Sequence, residues 1–253
     1  MSLHNPHNVL VTGGAGFIGA NFVEYLLETD SAANVITLDS LTYAGSLDNL
    51  ALVMSNLRHQ FVKGDITDAS LVNRLINEKA VDTIVHFAAE SHVDRSITGP
   101  AAFITTNVVG TFTLLEAART AWLGNGQRGD VRFHHVSTDE VFGSLSESDP
   151  PFSETTPYSP NSPYSASKAG VHGLTLWLAT YWARSGIRVN TVCPGGVYNG
   201  HDPEFVRRYA DRTPMGRMAD PEDLVGTMVY LASDASRYCT GQRFLVDGGL
   251  SAW

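Results

Sequence analysis

Short apolar segments alternate with longer segments whose apolar residues recur at helical spacing. The short segments are rich in β-branched residues, have the length of a buried strand, and end in glycine, proline or polar residues. They predict strands at residues 8–12, 35–39, 61–66, 83–89, 132–138, 187–193 and 244–249. Strands that alternate with helices predict a parallel sheet covered on both faces. We therefore expect an α/β fold with a doubly wound parallel sheet of about seven strands.

The segments between these strands predict helices and two irregular loops. Helical spacing covers residues 20–28, 69–78, 100–119, 164–185, 203–209 and 221–232. Pro203 and Pro221 begin the last two helices, as is typical of a first helical turn. Residues 123–130 are rich in glycine and polar residues, and residues 150–163 in Pro, Ser and Thr. Both stretches predict loops, the second at the rim of a site.

Composition limits the size, partners and compartment of the protein. The 253 residues, 43% of them hydrophobic and 17% charged, suit one domain, residues 1–253, with one large core. A formal net charge of -9 disfavours nucleic acid and anionic membranes. The start has no signal-peptide pattern, and we expect no membrane-spanning run. Cys193 and Cys239 are too few for a disulfide framework, so we expect buried thiols and a cytoplasmic location.

A glycine-rich turn joins the first predicted strand to the first predicted helix. Gly13, Gly16 and Gly19 lie in the sequence Gly-Gly-Ala-Gly-Phe-Ile-Gly, and this strand–turn–helix context is typical of a Rossmann-type dinucleotide site. The first glycine permits the tight turn, the second lets the backbone approach a pyrophosphate, and the third lets helix and strand pack closely. The free N–H groups of the helix would face the phosphates. A purely structural turn is the alternative.

Asp39 ends the second predicted strand, at the distance where an acidic side chain accepts a hydrogen bond from a ribose 2′-hydroxyl. A 2′-phosphate would be repelled by this carboxylate, and no arginine follows within residues 40–43. The sequence therefore favours NAD over NADP as cofactor. A turn or capping role for Asp39 is the alternative.

Tyr164 and Lys168 are four residues apart, so on a helix they share one face. A free tyrosine has a pKa near ~10. A neighbouring ammonium group favours the phenolate, and we expect Lys168 to lower the pKa of Tyr164. The pair would then take a proton from a substrate hydroxyl while a cofactor takes the hydride. By itself the spacing is a weak signal and is more typical of a solvated helix face; the glycine-rich turn supplies the context that favours a catalytic pair.

Residues 8–169 resemble the extended short-chain dehydrogenases, and closely the dTDP-glucose 4,6-dehydratases. The stretches that carry this resemblance lie at 11–19, 39–45, 64–66, 86–96, 137–143 (Ser-Thr-Asp-Glu-Val-Phe-Gly) and 164–168 (Tyr-Ser-Ala-Ser-Lys). Residues 170–253 instead resemble the compact, single-domain short-chain dehydrogenases, at 186–190, 194–197, 213–218, 231–234 and 240–249. The resemblance implies a chimera, natural or engineered, with its seam near Lys168 and without a separate nucleotide-sugar lobe.

The resemblance also implies residue roles. Thr138 or Ser137 would hold the substrate hydroxyl, Tyr164 would be the base, and Lys168 would bind the nicotinamide ribose and tune Tyr164. The residues assigned to the cofactor are Gly13, Gly16, Phe17, Ile18, Gly19, Asp39, Ser40, Thr42, Asp65, Ile66, Phe87, Ala88, Ala89, Ser91, Thr106, Tyr164, Lys168, Pro194 and Gly195.

Two adjacent acids carry the dehydration in the dehydratase pattern. Oxidation at sugar C4 acidifies the C5 proton, which Glu140 would remove while Asp139 protonates the departing C6 hydroxyl. The hydride then returns to C6, so the NAD is regenerated. This requires one ionised and one protonated carboxyl, which close acids with unequal burial can provide. The alternative is that Asp139 and Glu140 lie at the solvated end of a strand.

Three functions remain open at this level. The chain is a nucleotide-sugar enzyme of the dehydratase type, a simple NAD-dependent alcohol or sugar dehydrogenase with a substrate loop at 196–218, or a cofactor-binding scaffold without turnover. Trp177, Tyr181 and Trp182 make the Tyr164 helix aromatic, through core packing or through a subunit interface; we expect a homo-oligomer, a dimer or tetramer. We expect no metal site.

Overall fold

Seven parallel strands form one sheet in the computed structural model, which describes residues 6–124, 131–144 and 156–252. Their order across the sheet is β3-β2-β1-β4-β5-β6-β7. The strands are β1 Asn8–Thr12, β2 Asn34–Asp39, β3 His59–Lys63, β4 Thr83–His86, β5 Arg132–Val136, β6 Arg188–Pro194 and β7 Arg243–Val246. The expected doubly wound α/β fold is confirmed.

Helices cover both faces of the sheet. They are α1 Phe17–Thr29, α2 Ala69–Glu78, α3 Val93–Thr98, α4 Pro100–Phe103, α5 Thr111–Leu123, α6 Pro163–Trp182, α7 Pro203–Arg212 and α8 Pro221–Ala232. A π-helical stretch, Ile104–Gly110, joins α4 to α5. Most of these helices match the predicted segments. The exceptions are α3, which the apolar spacing did not reveal, and the π-helical stretch, which no spacing pattern distinguishes from an α-helix.

Four predicted strands extend beyond the strands of the structure. The predictions 61–66, 83–89, 132–138 and 244–249 end in the structure at Lys63, His86, Val136 and Val246. After β4 the N–H groups of Phe87 and Ala88 both donate to the carbonyl of Thr12, so the chain leaves the regular ladder there. The apolar run continues past this point, but the strand pairing does not.

The core lies in two layers, one on each face of the sheet. Leu10 belongs to the layer that α2, α5 and α6 cover, and its neighbours Val9 and Val11 belong to the layer that α1 and α8 cover. This alternation follows from the two-residue period of a strand. The sheet is therefore buried on both faces, as parallel sheets are.

Helix Pro100–Leu123 is the one helix among the described residues that is long and apolar enough, by length and composition, to cross a membrane. The expectation that no segment would reach this length and apolarity is therefore wrong. Leu114, Ala118 and Trp122 of this helix are buried in the core layer. Of the predicted loops at 123–130 and 150–163, residues 125–130 and 150–155 lie outside the described residues.

Candidate active site

The carboxyl ends of the parallel strands gather most of the predicted site residues at one edge of the sheet. The strand order reverses between β1 and β4, and open α/β sheets bind ligands outside the strand ends at such a point. The segments at this edge are Gly13–Gly19 after β1, Asp39 to Thr42 after β2, Asp65 and Ile66 after β3, Phe87 to Ser91 after β4, Thr138 to Glu140 after β5, and Pro194 and Gly195 at the end of β6. Thr106 lies in the π-helical stretch, and Tyr164 and Lys168 lie on α6.

The glycine turn has a geometry that side chains would block. Gly13 has a φ of +70°, and a Cβ there would lie 2.5 Å from the backbone nitrogen of Ala88. A Cβ on Gly19 would lie 2.4 Å from the carbonyl oxygen of Gly13. Gly16 caps α1 without a side-chain hydrogen bond, so no side chain satisfies the first N–H groups of the helix. This donor set fits the pyrophosphate of a dinucleotide.

Gly13→Ala is expected to lower the free energy of unfolding by about 2 to 5 kcal/mol and to weaken NAD binding, because it adds left-handed strain and a backbone clash. Gly170→Ala is the matched control: no atom lies within 4 Å of a Cβ there, and α6 should gain about 0.5 to 1 kcal/mol. Urea denaturation and calorimetry with NAD measure both effects. Equal stability of the two variants would contradict this account of the turn.

Asp39 also holds the glycine turn in place, a role that the sequence left as its alternative. Its buried carboxylate accepts hydrogen bonds from the backbone N–H of Ala15 at 3.0 Å and of Leu41 at 2.8 Å. Each carboxylate oxygen keeps a second acceptor site, so a ribose hydroxyl can still donate to it. The residue thus fits both roles.

Thr138 brings the phenol of Tyr164 to the end of β5. The Thr138 side chain caps a 3₁₀ turn, Asp139–Phe142, by accepting from the N–H of Glu140 at 3.3 Å. Its hydroxyl also lies near the Tyr164 phenol and favours the ionised form of that phenol. The phenol ring is buried edge-on against Phe103, with ring centroids 6.2 Å apart. The two candidate catalytic hydroxyls, of Thr138 and Tyr164, therefore lie close to each other. The spacing of the two motifs along the sequence did not require this.

The pKa of Tyr164 is raised, so the expectation that Lys168 lowers it is wrong. Burial is the main cause, and the nearby carboxylate of Glu140 adds to it. The Lys168 ammonium donates instead to the carbonyl of Val136 at 2.9 Å, and its burial lowers its own pKa to about 8. The local argument considered the charge of the neighbour but not the removal of both groups from water.

Asp139 and Glu140 have pKa values near neutrality. Burial raises the pKa of Asp139 to about 6, with a further contribution from the charge of Asp247. Burial and the charge of Asp139 raise the pKa of Glu140 to about 7. Such a pair titrates as a unit and holds roughly one proton between pH 6 and 7. Glu140, the implied base, is the more strongly raised of the two.

A cavity of about 400 Å³ opens beside this acid pair. Its size suits a small-molecule ligand. One wall is formed by the turn that carries the acids, and the other by α7 with Leu250. The lining residues are Asp139, Glu140, Gly143, Ser144, Phe205, Arg208, Tyr209, Arg212 and Leu250. The predicted substrate loop at 196–218 thus contains α7, which the sequence predicted as a helix at 203–209, and four side chains of this helix line the cavity.

Asn107 is a site residue that the sequence analysis did not select. Its buried amide accepts from the N–H of Glu90 at 2.9 Å and donates to the carbonyl of Glu90 at 3.0 Å. It also donates to the Ser167 hydroxyl at 2.9 Å. Asn107 therefore ties the segment after β4 to the helix that carries Tyr164. An asparagine inside an apolar helical run was the only signal.

A second missed group links β5 to the other half of the sheet. His172 lies on α6 one turn beyond Lys168, and its Nε2 lies 2.6 Å from the Ser137 hydroxyl. Its Nδ1 lies 3.2 Å from the Tyr158 hydroxyl, to which Arg243 donates. Burial, with the charges of Arg243 and Lys168, lowers the pKa of His172 to about 3. The imidazole is therefore neutral and can hold the Ser137 hydroxyl without adding charge.

The two cysteine side chains differ in their exposure to solvent. Cys193 is buried, but Cys239 is half-buried, so the expectation of two buried thiols is correct only for Cys193. Within residues 6–124, 131–144 and 156–252, no three His, Cys, Asp or Glu side chains form a group that could hold a metal ion. The absence of a metal site stays a prediction.

Known proteins with a similar sequence are dTDP-glucose 4,6-dehydratases. A dTDP-glucose 4,6-dehydratase of Xanthomonas campestris pv. campestris is 60% identical over 162 residues, which are 63% of this chain and 45% of that protein. The dTDP-glucose 4,6-dehydratase of Salmonella typhimurium is 48% identical over 207 residues, which are 78% of this chain and 56% of that protein. The chain thus spans about half the length of these relatives.

Solved structures of both branches resemble the chain. DesIV, a dTDP-glucose 4,6-dehydratase from Streptomyces venezuelae with NAD and TYD bound, has a TM-score of 0.76 at 40% identity and covers 95% of this chain and 75% of its own. A short-chain dehydrogenase from Leptospira borgpetersenii with bound NAD+ has a TM-score of 0.80 at 30% identity and covers 98% and 93%. The resemblance to both branches is confirmed.

The family model described as GDP-mannose 4,6 dehydratase matches residues 10–212. This match extends past Lys168, near which the sequence suggested a seam, and includes the glycine turn, the acid pair, Tyr164 and α7. The chain belongs to the GDP-mannose 4,6-dehydratase family, within the short-chain dehydrogenase/reductase superfamily.

Proposed function

We propose that this chain is an NAD-dependent enzyme that acts on a nucleotide sugar by dehydratase-type chemistry. The observation that carries the proposal is that two carboxyls with raised pKa values line one cavity, while Thr138 and Tyr164 lie close behind them. The relatives' names and the NAD and TYD bound by DesIV support the same reading.

The residues present fit NAD. The uncapped N-terminus of α1 would hold the pyrophosphate, Asp39 the adenosine ribose, and Lys168 the nicotinamide ribose. Bound NAD supplies oxidation at sugar C4 and reduction at C6. The positive charge of oxidised nicotinamide would also counteract the raised pKa of Tyr164, because an opposite charge favours the phenolate.

Tyr164 takes the proton of the C4 hydroxyl in this proposal. Thr138, whose hydroxyl favours the ionised phenol, would orient the same substrate hydroxyl. The C5 proton next becomes acidic beside the C4 ketone. One carboxyl of the Asp139–Glu140 pair removes it, while the other donates its proton to the departing C6 hydroxyl. Carboxyls with pKa values of about 6 and about 7 suit this exchange at neutral pH.

Incubation with dTDP-glucose and NAD tests the proposal. Mass spectrometry should show a product lighter by one water, and the absorbance of free NADH should not rise, because the cofactor is regenerated. If dTDP-glucose loses no water, dehydratase chemistry is contradicted. The same samples monitored for NADH distinguish the second candidate described next.

The second candidate is a simple NAD-dependent alcohol or sugar dehydrogenase. One observation favours it: the compact Leptospira dehydrogenase covers 98% of this chain with the higher TM-score of 0.80. Such an enzyme would release one NADH per alcohol oxidised. Steady NADH formation over a panel of alcohols and sugars, without loss of water, would replace the first proposal by this one.

A homo-oligomer is part of the proposal. Trp177 and Tyr181 stack on the outer face of α6 with centroids 4.9 Å apart and are 56% and 64% exposed. Leu176, Phe112 and Ile104 are also exposed on α6, α5 and the π-helical stretch. A stacked pair of exposed aromatic side chains on one helix, with further exposed apolar residues on neighbouring elements, suits a protein–protein interface. Trp182, by contrast, is buried in the core, so the two interpretations of the aromatic helix apply to different residues.

Trp177→Asp is expected to weaken self-association by about 30-fold or more, because aromatic anchors at interface centres contribute about 2 kcal/mol or more. Sedimentation velocity over a concentration series measures the change. Tyr238→Asp, at a fully exposed position elsewhere, is the control. A wild-type protein that stays monomeric at every concentration would contradict the interface.

We also propose a cytoplasmic location, which the free thiols of Cys193 and Cys239 support.

A further inference from the structure

Helix α7 forms the cavity wall that faces the acid pair, and four of its side chains line the cavity. They are Phe205, Arg208, Tyr209 and Arg212. We propose that this wall binds the nucleoside diphosphate part of the substrate: the two arginines hold the diphosphate, and Phe205 stacks on the base. This inference rests on the proposed function, because the sugar would then lie beside the acid pair.

The four residues share one helix face. Their spacing of three and four residues places them together on α7, and no residue of this helix is buried. Arg207 lies outside the cavity lining and pairs with Glu204 at 2.8 Å and with Asp211 at 3.1 Å. An aromatic and cationic face that is turned to a cavity, and not to the core, is more suited to binding a ligand than to packing.

Tyr209 fixes this wall to the sheet. Its hydroxyl accepts a hydrogen bond from the backbone N–H of Gly196, just beyond the end of β6. Its ring packs directly on the Gly196 backbone, where a Cβ would lie 2.7 Å from the ring. Tyr209 therefore anchors α7 to the end of β6, and Arg208 and Arg212 line the cavity from this anchored helix.

Charge is unevenly distributed around the cavity. The acid pair lies on one wall, and the guanidinium groups of Arg208 and Arg212 lie on the other. Glu204 accepts from the Nε of Arg208 at 2.8 Å and so orients a guanidinium that has further N–H donors. Guanidinium groups bind phosphate oxygens in pairs. In a chain with a net charge of -9, this local cationic wall favours an anion at one end of the cavity only.

The aromatic side chains of this cavity wall suit a nucleobase that is attached to the diphosphate. Phe205 is 49% exposed although it is apolar, and His201 stacks on it with centroids 5.3 Å apart. The Tyr209 ring is tilted against Phe205, with centroids 6.2 Å apart. Exposed aromatic faces stack on nucleobases, at about 1 to 3 kcal/mol for each base in single-stranded nucleic-acid complexes. The wall therefore fits a nucleoside diphosphate better than a free sugar.

Calorimetric titration of the NAD-loaded full chain with dTDP tests this assignment. Arg208→Gln and Arg212→Gln should each weaken dTDP binding by about tenfold or more, as loss of a charge-assisted hydrogen bond implies. Arg207→Gln removes the same charge from the same helix and should change the affinity by less than about twofold. Phe205→Ala should weaken dTDP binding but leave the binding of inorganic pyrophosphate unchanged.

The outcomes test the assignment of the nucleoside diphosphate to α7 separately from the proposed function. Failure of the wild-type chain to bind dTDP, an effect of Arg207→Gln equal to the others, or unchanged affinity in the cavity variants would overturn the assignment. If dTDP-glucose is converted with the same KM by the cavity variants, the function stands and the assignment fails. If dTDP binds through both arginines but no sugar is converted, the assignment stands and the function fails. Far-UV circular dichroism shows that each variant is folded.

Discussion

Tyr164→Phe is expected to lower the turnover of a dTDP-sugar by about 10³-fold, within the range that a positioned acid–base group contributes. The ring stays packed against Phe103, and only the phenolic hydroxyl is lost. The affinity for NAD should change by less than about twofold, because the pyrophosphate and adenosine ribose sites remain. Steady-state kinetics and calorimetry measure the two quantities.

The pH profile separates a catalytic hydroxyl from a structural one. Because the pKa of Tyr164 is raised, kcat/KM of the wild-type chain should increase with pH as the phenol ionises in the complex with NAD. The variant should lose this limb. Tyr238→Phe removes a fully exposed hydroxyl and should change neither rate nor profile. An active Tyr164→Phe variant with the wild-type profile would show that another group accepts the proton.

Glu140→Gln is expected to lower the rate of water loss by about 10² to 10⁴-fold, because the amide cannot exchange protons with Asp139. It should also stabilise the fold. Since the folded pKa of Glu140 is raised to about 7, the folded state holds more protons than the unfolded state, and stability is lost as pH rises from about 4.5 to 7. The variant avoids this loss, on the order of 1 kcal/mol above pH 7 after screening by solvent.

Urea denaturation at pH 5 and pH 8 tests the stability part of this prediction. The gain of Glu140→Gln over the wild type should be larger at pH 8. Glu78→Gln, an exposed carboxyl at the end of α2, is the matched control and should show no such dependence. A gain that disappears at pH 8 would mean that the Glu140 carboxyl is not destabilised by its surroundings.

The sheet could be predicted because strand burial leaves a pattern in the sequence. Val9, Leu10 and Val11 are consecutive apolar residues because both faces of β1 are covered. The strand ends could not be predicted, because the apolar run continues past His86 while Phe87 and Ala88 both donate to the carbonyl of Thr12 and so end the regular ladder. Helix α3 is short and polar, so its sequence lacks the apolar spacing on which the prediction depends.

The candidate site was predictable where its residues are neighbours in sequence. The glycine turn and the segment 137–140 each have a local pattern. Asn107 and His172 have none, because their role depends on partners 17 to 60 residues away. The raised pKa of Tyr164 was also missed, because burial arises from the whole fold and outweighs the single neighbouring charge that the sequence shows.

The most direct test of the proposed catalytic cycle follows one atom. dTDP-glucose that carries deuterium at C4 should yield a product that has lost water and keeps the deuterium at C6, with no labelled NADH in solution. This result requires that the hydrogen leaves C4, stays in the site and returns to the same sugar. Deuterium recovered in free NADH, with the C6 hydroxyl still in place, would contradict the cycle and identify a simple dehydrogenase.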